Sequence, residues 1–374
     1  MADDLDPLEQ HLVDALRTLS AGSEGESVPP EAAIAWRAGI ESRAIDHAAR
    51  WLQGQKRGFY TIGGAGHESN ALVALALRPS DPALLHYRSG GFYLARAEQA
   101  GRDGVEDVLL GMAAAADEPI AGGRHKVFGH ADLAIIPQTS TIASHLPRAV
   151  GIAFAIERAR ELGIECAWPL DAVVVCSFGD ASLNHATAQA ALNTAAYLAY
   201  GGQSLPLLFV CEDNGLGISV PTSEAWVEQS LHGRPELAVE RADGDDPAAA
   251  LAIARELVAW VRDNRHPAVL HLRTVRYLSH AGADLETAYR SAQEIRADYA
   301  RDPVLALGTW LAETGARSGD DLAAEYLKVR AAIRERALEA TTQPQLATAE
   351  DVIRPIAPRD PDAIAALAGS GVPA

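Results

Sequence analysis

The stretch VVVCSFGDASLNHATAQAALNTAAYLAYGGQSLPLLFVCEDNGLGIS, residues 173–219, contains two apolar runs with the same kind of ending. The first climbs to Phe178 and breaks at Gly179-Asp180, and the second climbs to Cys211 and breaks at Glu212-Asp213-Asn214-Gly215. Both runs are short and rich in Val and Leu, as parallel strands covered on both faces are. The Ala-rich segment between them has no proline before Pro206 and reads as a helix over Leu183–Ala199. Strand, helix and strand in that order imply a parallel pair, with both endings at the carboxyl edge of one sheet.

The pattern extends outward. Strands are expected over 172–178, 206–212 and 268–275 ("AVLHLRTV"), and helices over Pro147–Leu162 and Pro247–Asn264. The helix at Pro147 carries Pro in its first turn and Gly163 just past its end, the usual start and stop residues. The expected fold class is α/β, a mainly parallel sheet covered by helices on both faces. Residues 1–30 read as an acidic flexible arm ending in "AGSEGESVPP", residues 31–300 as the α/β domain, and residues 301–374 as a C-terminal helical region and tail.

Fifty acidic against 32 basic residues give a net charge of −18, which argues against nucleic-acid binding through phosphate neutralisation. No window approaches the roughly 18 uninterrupted apolar residues of a membrane span, and "MADDLDPLEQ" lacks the basic-then-apolar pattern of a signal peptide. Cys166, Cys176 and Cys211 form no CxxC pair, and two lie in apolar runs. They read as free thiols in a reducing cytoplasm.

Ligands of open parallel sheets bind outside the carboxyl ends of the strands, where Asp180 and Asn214 are expected. The start of the following helix would present N–H groups and its positive dipole end to an anion there. A carboxylate, an amide oxygen and a backbone carbonyl suit a hard ion such as Mg²⁺, which often keeps phosphate oxygens as further ligands. Gly-Asp and Asp-Asn-Gly also serve simply as turns closing strands.

The pairing resembles the thiamine diphosphate motif, Gly-Asp-Gly followed one helix and strand later by Asn-Asn. In order along the chain, "GFYTIGGAGHESNALVALAL" (58–77), "PQTSTIASHLPRAVGIAFAIERA" (137–159), "FGDAS", "CEDNGLGISVPTSEAW" (211–226), "ADGDDPAAAL" (242–251) and "VRYLSHAGADLETAYRS" (275–291) resemble one family. It is the alpha subunit of the thiamine diphosphate-dependent first component of 2-oxo acid dehydrogenase complexes, of the pyruvate or branched-chain type. The resemblance covers about Gly58 to Asp302.

Carried over residue by residue, the resemblance implies that Asp180, Asn214 and the Leu216 carbonyl bind Mg²⁺. Ala181 and Ser182 follow the family's backbone contact to the diphosphate. Tyr87 and Arg88 of "HYRSGG" should touch the diphosphate, and a guanidinium fork suits that task. Ile142 matches the apolar residue that bends thiamine diphosphate, and Ser140 lies near the aminopyrimidine. His280 matches the histidine of the loop over the active site, where it donates to the diphosphate when charged or moves protons when neutral. His130 matches a family histidine only with a shift, while His125, His145, His185 and His271 show no metal-ligand spacing.

The chain departs from the family pattern in several places. Ala181 stands for the second Gly, Asp213 for the first Asn, and Leu216 for a frequent Tyr. Asp180 and Asn214 lie 34 positions apart, about one helical turn more than is common, with "AYGGQS" (199–204) as the insertion. Ala281 stands where phosphorylated relatives carry Ser, so control by phosphate there cannot operate.

Activating the cofactor requires a Glu beside its aminopyrimidine, and the family keeps that Glu on another subunit. No carboxylate of this chain sits in a matching motif. The resemblance thus implies a beta subunit or fused beta half that supplies it, in an alpha/beta heterotetramer. The reaction implied is oxidative decarboxylation of a small 2-oxo acid with acyl transfer to a lipoyl-bearing acyltransferase component. "GFYTIGGAGHE" and "SVPTSEAW" favour the branched-chain side. The alternatives are an acetoin dehydrogenase or transketolase-like enzyme, or a non-catalytic subunit that keeps the fold. A nucleotide-binding enzyme would use GxGxxG or GxxxxGK[ST], and neither occurs where a strand meets a helix.

Overall fold

The computed structural model describes residues 5–22, 29–59, 62–124, 127–315, 317–356 and 361–369. The first helices are α1 (Pro7–Arg17), α2 (Pro30–Gly54) and α3 (Asn70–Ala76), followed by strand β1 (Ala83–Leu84) and helices α4 (Gly90–Gln99) and α5 (Gly104–Met112). The central run is α6 (Leu146–Leu162), β2 (Val174–Gly179), α7 (Ala186–Tyr200), β3 (Leu207–Asp213) and the short strands β4 (Leu216–Gly217) and β5 (Val220–Pro221). Then come α8 (Glu224–His232), β6 (Ala238–Asp243), α9 (Pro247–Asn264), β7 (Ala268–Arg273), α10 (Ala292–Ala297), α11 (Pro303–Glu313) and α12 (Gly319–Ala340).

Strands β1-β2-β3-β7-β6 form one sheet in that order, every neighbouring pair parallel. Alternate residues of each strand point to opposite faces, and each face has its own core. Val173, Val175, Leu208, Val210 and Leu270 pack in the core shared with α2, α4, α9 and α12. Val174, Cys176, Phe178, Phe209 and Cys211 pack in the core shared with α6, α7 and α8. This two-sided burial is why the strands lack the polar alternation of a half-exposed sheet. Cys176 and Cys211 are fully buried free thiols, and burial pushes both up.

Two expectations change. The arm expected over residues 1–30 contains α1, whose Leu8, Leu12, Val13 and Leu16 are buried. Asp6 caps it by accepting the N–H groups of Leu8 and Glu9 at 2.9 and 3.0 Å, and Glu9 accepts from the Tyr326 hydroxyl of α12 at 3.0 Å. An apolar stripe at helical spacing thus wins over acidic composition. The rest of that expectation, residues 1–4 and 23–28, lies outside the described residues. The change in composition after residue 300 is no change of core, since Val304, Leu307, Leu322 and Tyr326 join the cluster beneath the sheet. Arg43 of α2 locks this junction, bonding Glu68 at 2.6 Å and both oxygens of Asp302 at 2.9 and 3.0 Å, with all three side chains buried.

The helix expected from Leu183 begins later. After β2 the chain makes a 3₁₀ turn over Asp180–Asn184, and α7 starts at Ala186, capped by His185 accepting the Thr187 N–H at 3.2 Å. The Gly201-Gly202 turn of the insertion follows the far end of α7 and leads into the amino end of β3. It is therefore a helix length away from Asp180.

Candidate functional site

Strand β1 leads into α4 on one face of the sheet, whereas β2 leads into α7 on the other. Such divergence opens a crevice at the carboxyl edge. Gly179 of β2 pairs with Glu212 of β3, so Asp180 and Asn214 follow the ends of adjacent strands. Asp180 is buried, and the Thr222 hydroxyl donates to its Oδ2. Burial, with the like charge of Asp213 behind it, pushes Asp180 up to about 7.

Leu216 belongs to the β4–β5 hairpin. Thr222 donates its N–H to the Gly215 carbonyl at 2.9 Å, and Leu216 pairs with Pro221 in the next register position. Such a position is non-hydrogen-bonded in an antiparallel ladder, so the Leu216 N–H and C=O both point away from β5. The N–H accordingly donates to Asn214 Oδ1 at 3.0 Å. Gly217 lies against Ala181, where an added Cβ would come within 2.9 Å of the Ala181 Cβ. That contact seats the hairpin on the Asp180 turn.

Asp213 is accounted for by neighbours. Its Oδ2 lies 2.8 Å from His271 Nε2 on β7, and its Oδ1 accepts the Gly215 N–H at 3.0 Å. These bonds hold Asp213 below the usual carboxylate range against the opposing effect of its burial. The strand histidine His271 is thus the partner of the residue that replaces the first Asn.

Tyr87, Arg88 and His280 come together. Arg88 donates through Nη1 to the Gly63 carbonyl at 2.6 Å and through Nη2 to His280 Nδ1 at 3.0 Å. The Tyr87 and His280 rings meet edge to face with centroids 6.3 Å apart, and the Arg88 guanidinium lies 5.1 Å from the centroid of the Tyr87 ring. A guanidinium only donates, so His280 Nδ1 accepts and Nε2 carries the proton. Burial, then the charges of Arg88 and Arg276, push His280 down to about 4. It is therefore a neutral donor at pH 7, of the two roles the one suited to moving protons. Leu278 and Ser279, just before it, both adopt left-handed backbone at φ 61° and 62°. Side chains rarely adopt this conformation, so the loop is held in a strained shape.

Ser140 and Ile142 lie in the loop before α6, with Ile142 exposed at 39%. His145 ties the end of that loop to β2, its Nε2 lying 2.7 Å from the Ser177 carbonyl. Ala181 and Ser182 occupy the 3₁₀ turn, so their N–H groups come from this turn and not from the first turn of α7. His130 caps a short 3₁₀ turn by accepting the Asp132 N–H at 3.1 Å. His125 lies outside the described residues.

Two residues of the site were not singled out by sequence. Glu212, one residue before Asp213, is fully buried, and His67 Nδ1 lies 2.7 Å from its Oε2. His67 Nε2 lies 2.9 Å from Asn214 Nδ2. The only hint was position, since His67 stands within "GGAGHE".

The donor set fits Mg²⁺. Among the described residues Asp180 is a buried carboxylate that faces Asp213 and has no basic partner, and with the Asn214 amide oxygen and the Leu216 carbonyl it would make a hard, oxygen-only donor set. Arg88 and the 181–182 backbone fit a diphosphate.

Residues 38–349 match the family model described as Dehydrogenase E1 component. The chain is 27% identical over 327 residues to the 2-oxoisovalerate dehydrogenase subunit alpha of Bacillus subtilis, covering 85% of this chain and 92% of that protein. It is 29% identical over 256 residues to the mitochondrial subunit alpha of Caenorhabditis elegans, covering 67% and 55% of the two chains. With the mitochondrial subunit alpha 2 of Arabidopsis thaliana it shares 30% over 284 residues, covering 71% and 54%. The chain thus spans most of the bacterial relative and about half the length of the two mitochondrial ones.

Proposed function

The chain belongs to the dehydrogenase E1 component family as a thiamine diphosphate-dependent 2-oxo acid dehydrogenase alpha subunit, and we propose that it holds the Mg²⁺–diphosphate half of a split active site acting on branched-chain 2-oxo acids. The observation that carries this reading is the buried Asp180, with no basic partner among the described residues, at the end of the strand next to the one that ends at Asn214. Asp180, Asn214 Oδ1 and that carbonyl hold the ion. Arg88, Tyr87 and the Ala181–Ser182 backbone hold the diphosphate, Ile142 supports the ring system, and Ser140 stands near its aminopyrimidine. When bound, thiamine diphosphate supplies the electron sink for loss of CO₂. His280 holds a proton on Nε2 at the mouth of the site and acts in decarboxylation or in acyl transfer to the lipoyl group.

The substrate class is supported by a cavity of about 250 Å³ whose apolar wall is Ile45, Ile62, Leu94, Val108, Met112 and Phe128, with Ser42, Asp46, Tyr87 and Arg124 as its polar groups. An aliphatic side chain is what such walls accept. The partner is supported by exposed apolar residues near the crevice: Ile142 at 39%, Ile218 at 57%, Val220 at 65% and Trp226 at 54%. A beta subunit or fused beta half that supplies the activating Glu would cover them. No described helix is long and apolar enough to cross a membrane. From the likeness to the bacterial subunit alpha we infer a cytoplasmic enzyme.

The test is CO₂ release from 3-methyl-2-oxobutanoate and pyruvate by purified chain, with and without the beta-type partner. Activity is expected only with the partner, with faster turnover of the branched substrate. Cofactor-dependent CO₂ release by the chain alone would overturn the split site. A cofactor-binding assembly inactive on both acids would overturn the substrate class.

A further inference from the structure

An amide side chain has two opposite ends of nearly the same shape, and only the oxygen can bind Mg²⁺. Something must decide which end of Asn214 faces the ion. We propose that His67 is a positioning residue that fixes the Asn214 amide with its oxygen toward the metal, and that Glu212 sets His67 in the form able to do so. The proposal rests on the reading of Asn214 as a metal ligand.

His67 and Glu212 have no side-chain exposure and lie 2.7 Å apart, Nδ1 to Oε2. The Ser89 hydroxyl donates to Glu212 Oε1 at 2.6 Å, and Asn70 Nδ2 donates to Oε2 at 3.3 Å. Asn70 cannot present its other end, because its Oδ1 accepts the Phe92 N–H at 2.7 Å. Glu212 is therefore a carboxylate surrounded by donors, and a carboxylate only accepts. It follows that His67 Nδ1 carries the proton and Nε2 offers a lone pair. Nε2 lies 2.9 Å from Asn214 Nδ2, and a lone pair there is satisfied only by the NH₂ end of the amide. The oxygen is thereby turned to the opposite side, where it accepts the Leu216 N–H at 3.0 Å and keeps a second lone pair. A flipped amide would set a carbonyl oxygen against the His67 lone pair and an NH₂ against the Leu216 N–H. Both contacts would be repulsive.

The experiment uses the full chain assembled with its beta-type partner and thiamine diphosphate, titrated with Mg²⁺ by calorimetry. In His67→Leu, which keeps bulk but offers no acceptor, Mg²⁺ affinity should fall about 10–100-fold, the usual range for losing an outer partner of a metal ligand. His67→Gln, which can still accept from Asn214 and donate to Glu212, should stay within about threefold of wild type. In ¹⁵N-histidine-labelled wild type, NMR should show the His67 proton on Nδ1, a readout that needs no variant to fold. Wild-type affinity in His67→Leu, equal losses in the Leu and Gln variants, or a proton on Nε2 would each overturn the proposal while leaving the metal reading intact. Wild type that binds no Mg²⁺ would overturn the metal reading itself.

Discussion

Adjacent strands end in buried carboxylates with opposite surroundings. At the end of β3, Glu212 and Asp213 each meet a buried histidine, His67 at 2.7 Å and His271 at 2.8 Å, and both are held below the usual carboxylate range. At the end of β2, Asp180 meets the Thr222 hydroxyl and the charge of Asp213, and is pushed up to about 7. Burial alone therefore does not mark a metal ligand. What separates Asp180 is that, among the described residues, it has no basic partner where its neighbours have one. The paired carboxylates build the scaffold, and Asp180 is the one that takes the cation in the proposed function.

The largest effect that would break this contrast is at Asp180. Asp180→Ala should weaken Mg²⁺-dependent thiamine diphosphate binding by about 100-fold or more without unfolding the chain, as calorimetry on the assembly would read. Wild-type affinity in a folded variant would place the ion elsewhere. Binding should also depend on pH in a stated direction. Asp180 must be ionised to hold the ion, so affinity should fall about tenfold per pH unit below about 7 and level off above it. A flat profile from pH 5 to 8 would contradict the unpaired state of Asp180.

The contrast sharpens at His280, which belongs to neither strand end. His280→Ala should lower kcat about 10–100-fold while KM changes less than about threefold, because a neutral donor near the reacting centre acts when charge moves. Steady-state kinetics of the reconstituted enzyme would decide, and unchanged kcat would leave His280 a structural role through Arg88 and Tyr87. The smallest effect is expected at Asp213→Asn. Removing that like charge should move the midpoint of the pH profile down by about one unit or less and leave affinity at pH 8 little changed. A large loss at pH 8 would make Asp213 a ligand in its own right.

Much of this was legible in sequence for a physical reason. Doubly covered strands are apolar without alternation, so β2, β3 and β7 read directly, and the polar residues that end them stand out. What was not legible lies in contacts across long separations or in local departures from periodicity. His67 and Glu212 are 145 residues apart, and nothing in either segment announces their bond. The 3₁₀ turn at Asp180–Asn184 shares its composition with the helix after it, so the true start at Ala186 was hidden. Helix α1 was masked by its acids, although Leu8, Leu12 and Leu16 carry the period. The roles of Ser140 and Ile142 came from resemblance, and geometry adds only their place in the loop tied down by His145.

The most direct test of the unpaired carboxylate is thermal unfolding of the full chain, wild type against Asp180→Asn, measured from pH 4 to 8 with and without Mg²⁺ and thiamine diphosphate. Asp180 titrates near 7 when folded, against 3.8 as its ordinary value. Between those values the folded chain holds a proton that the unfolded chain has released, so stability falls as pH rises through that window and stays lost above it. That cost is about 3–5 kcal/mol at pH 8. Without ligands, Asp180→Asn should therefore melt about 2–8 °C higher than wild type at pH 8, with the gap closing toward pH 4. With ligands, only the wild type should gain stability. A ligand-free variant that melts lower than wild type at pH 8, or one stabilised by Mg²⁺ and thiamine diphosphate as wild type is, would contradict the account.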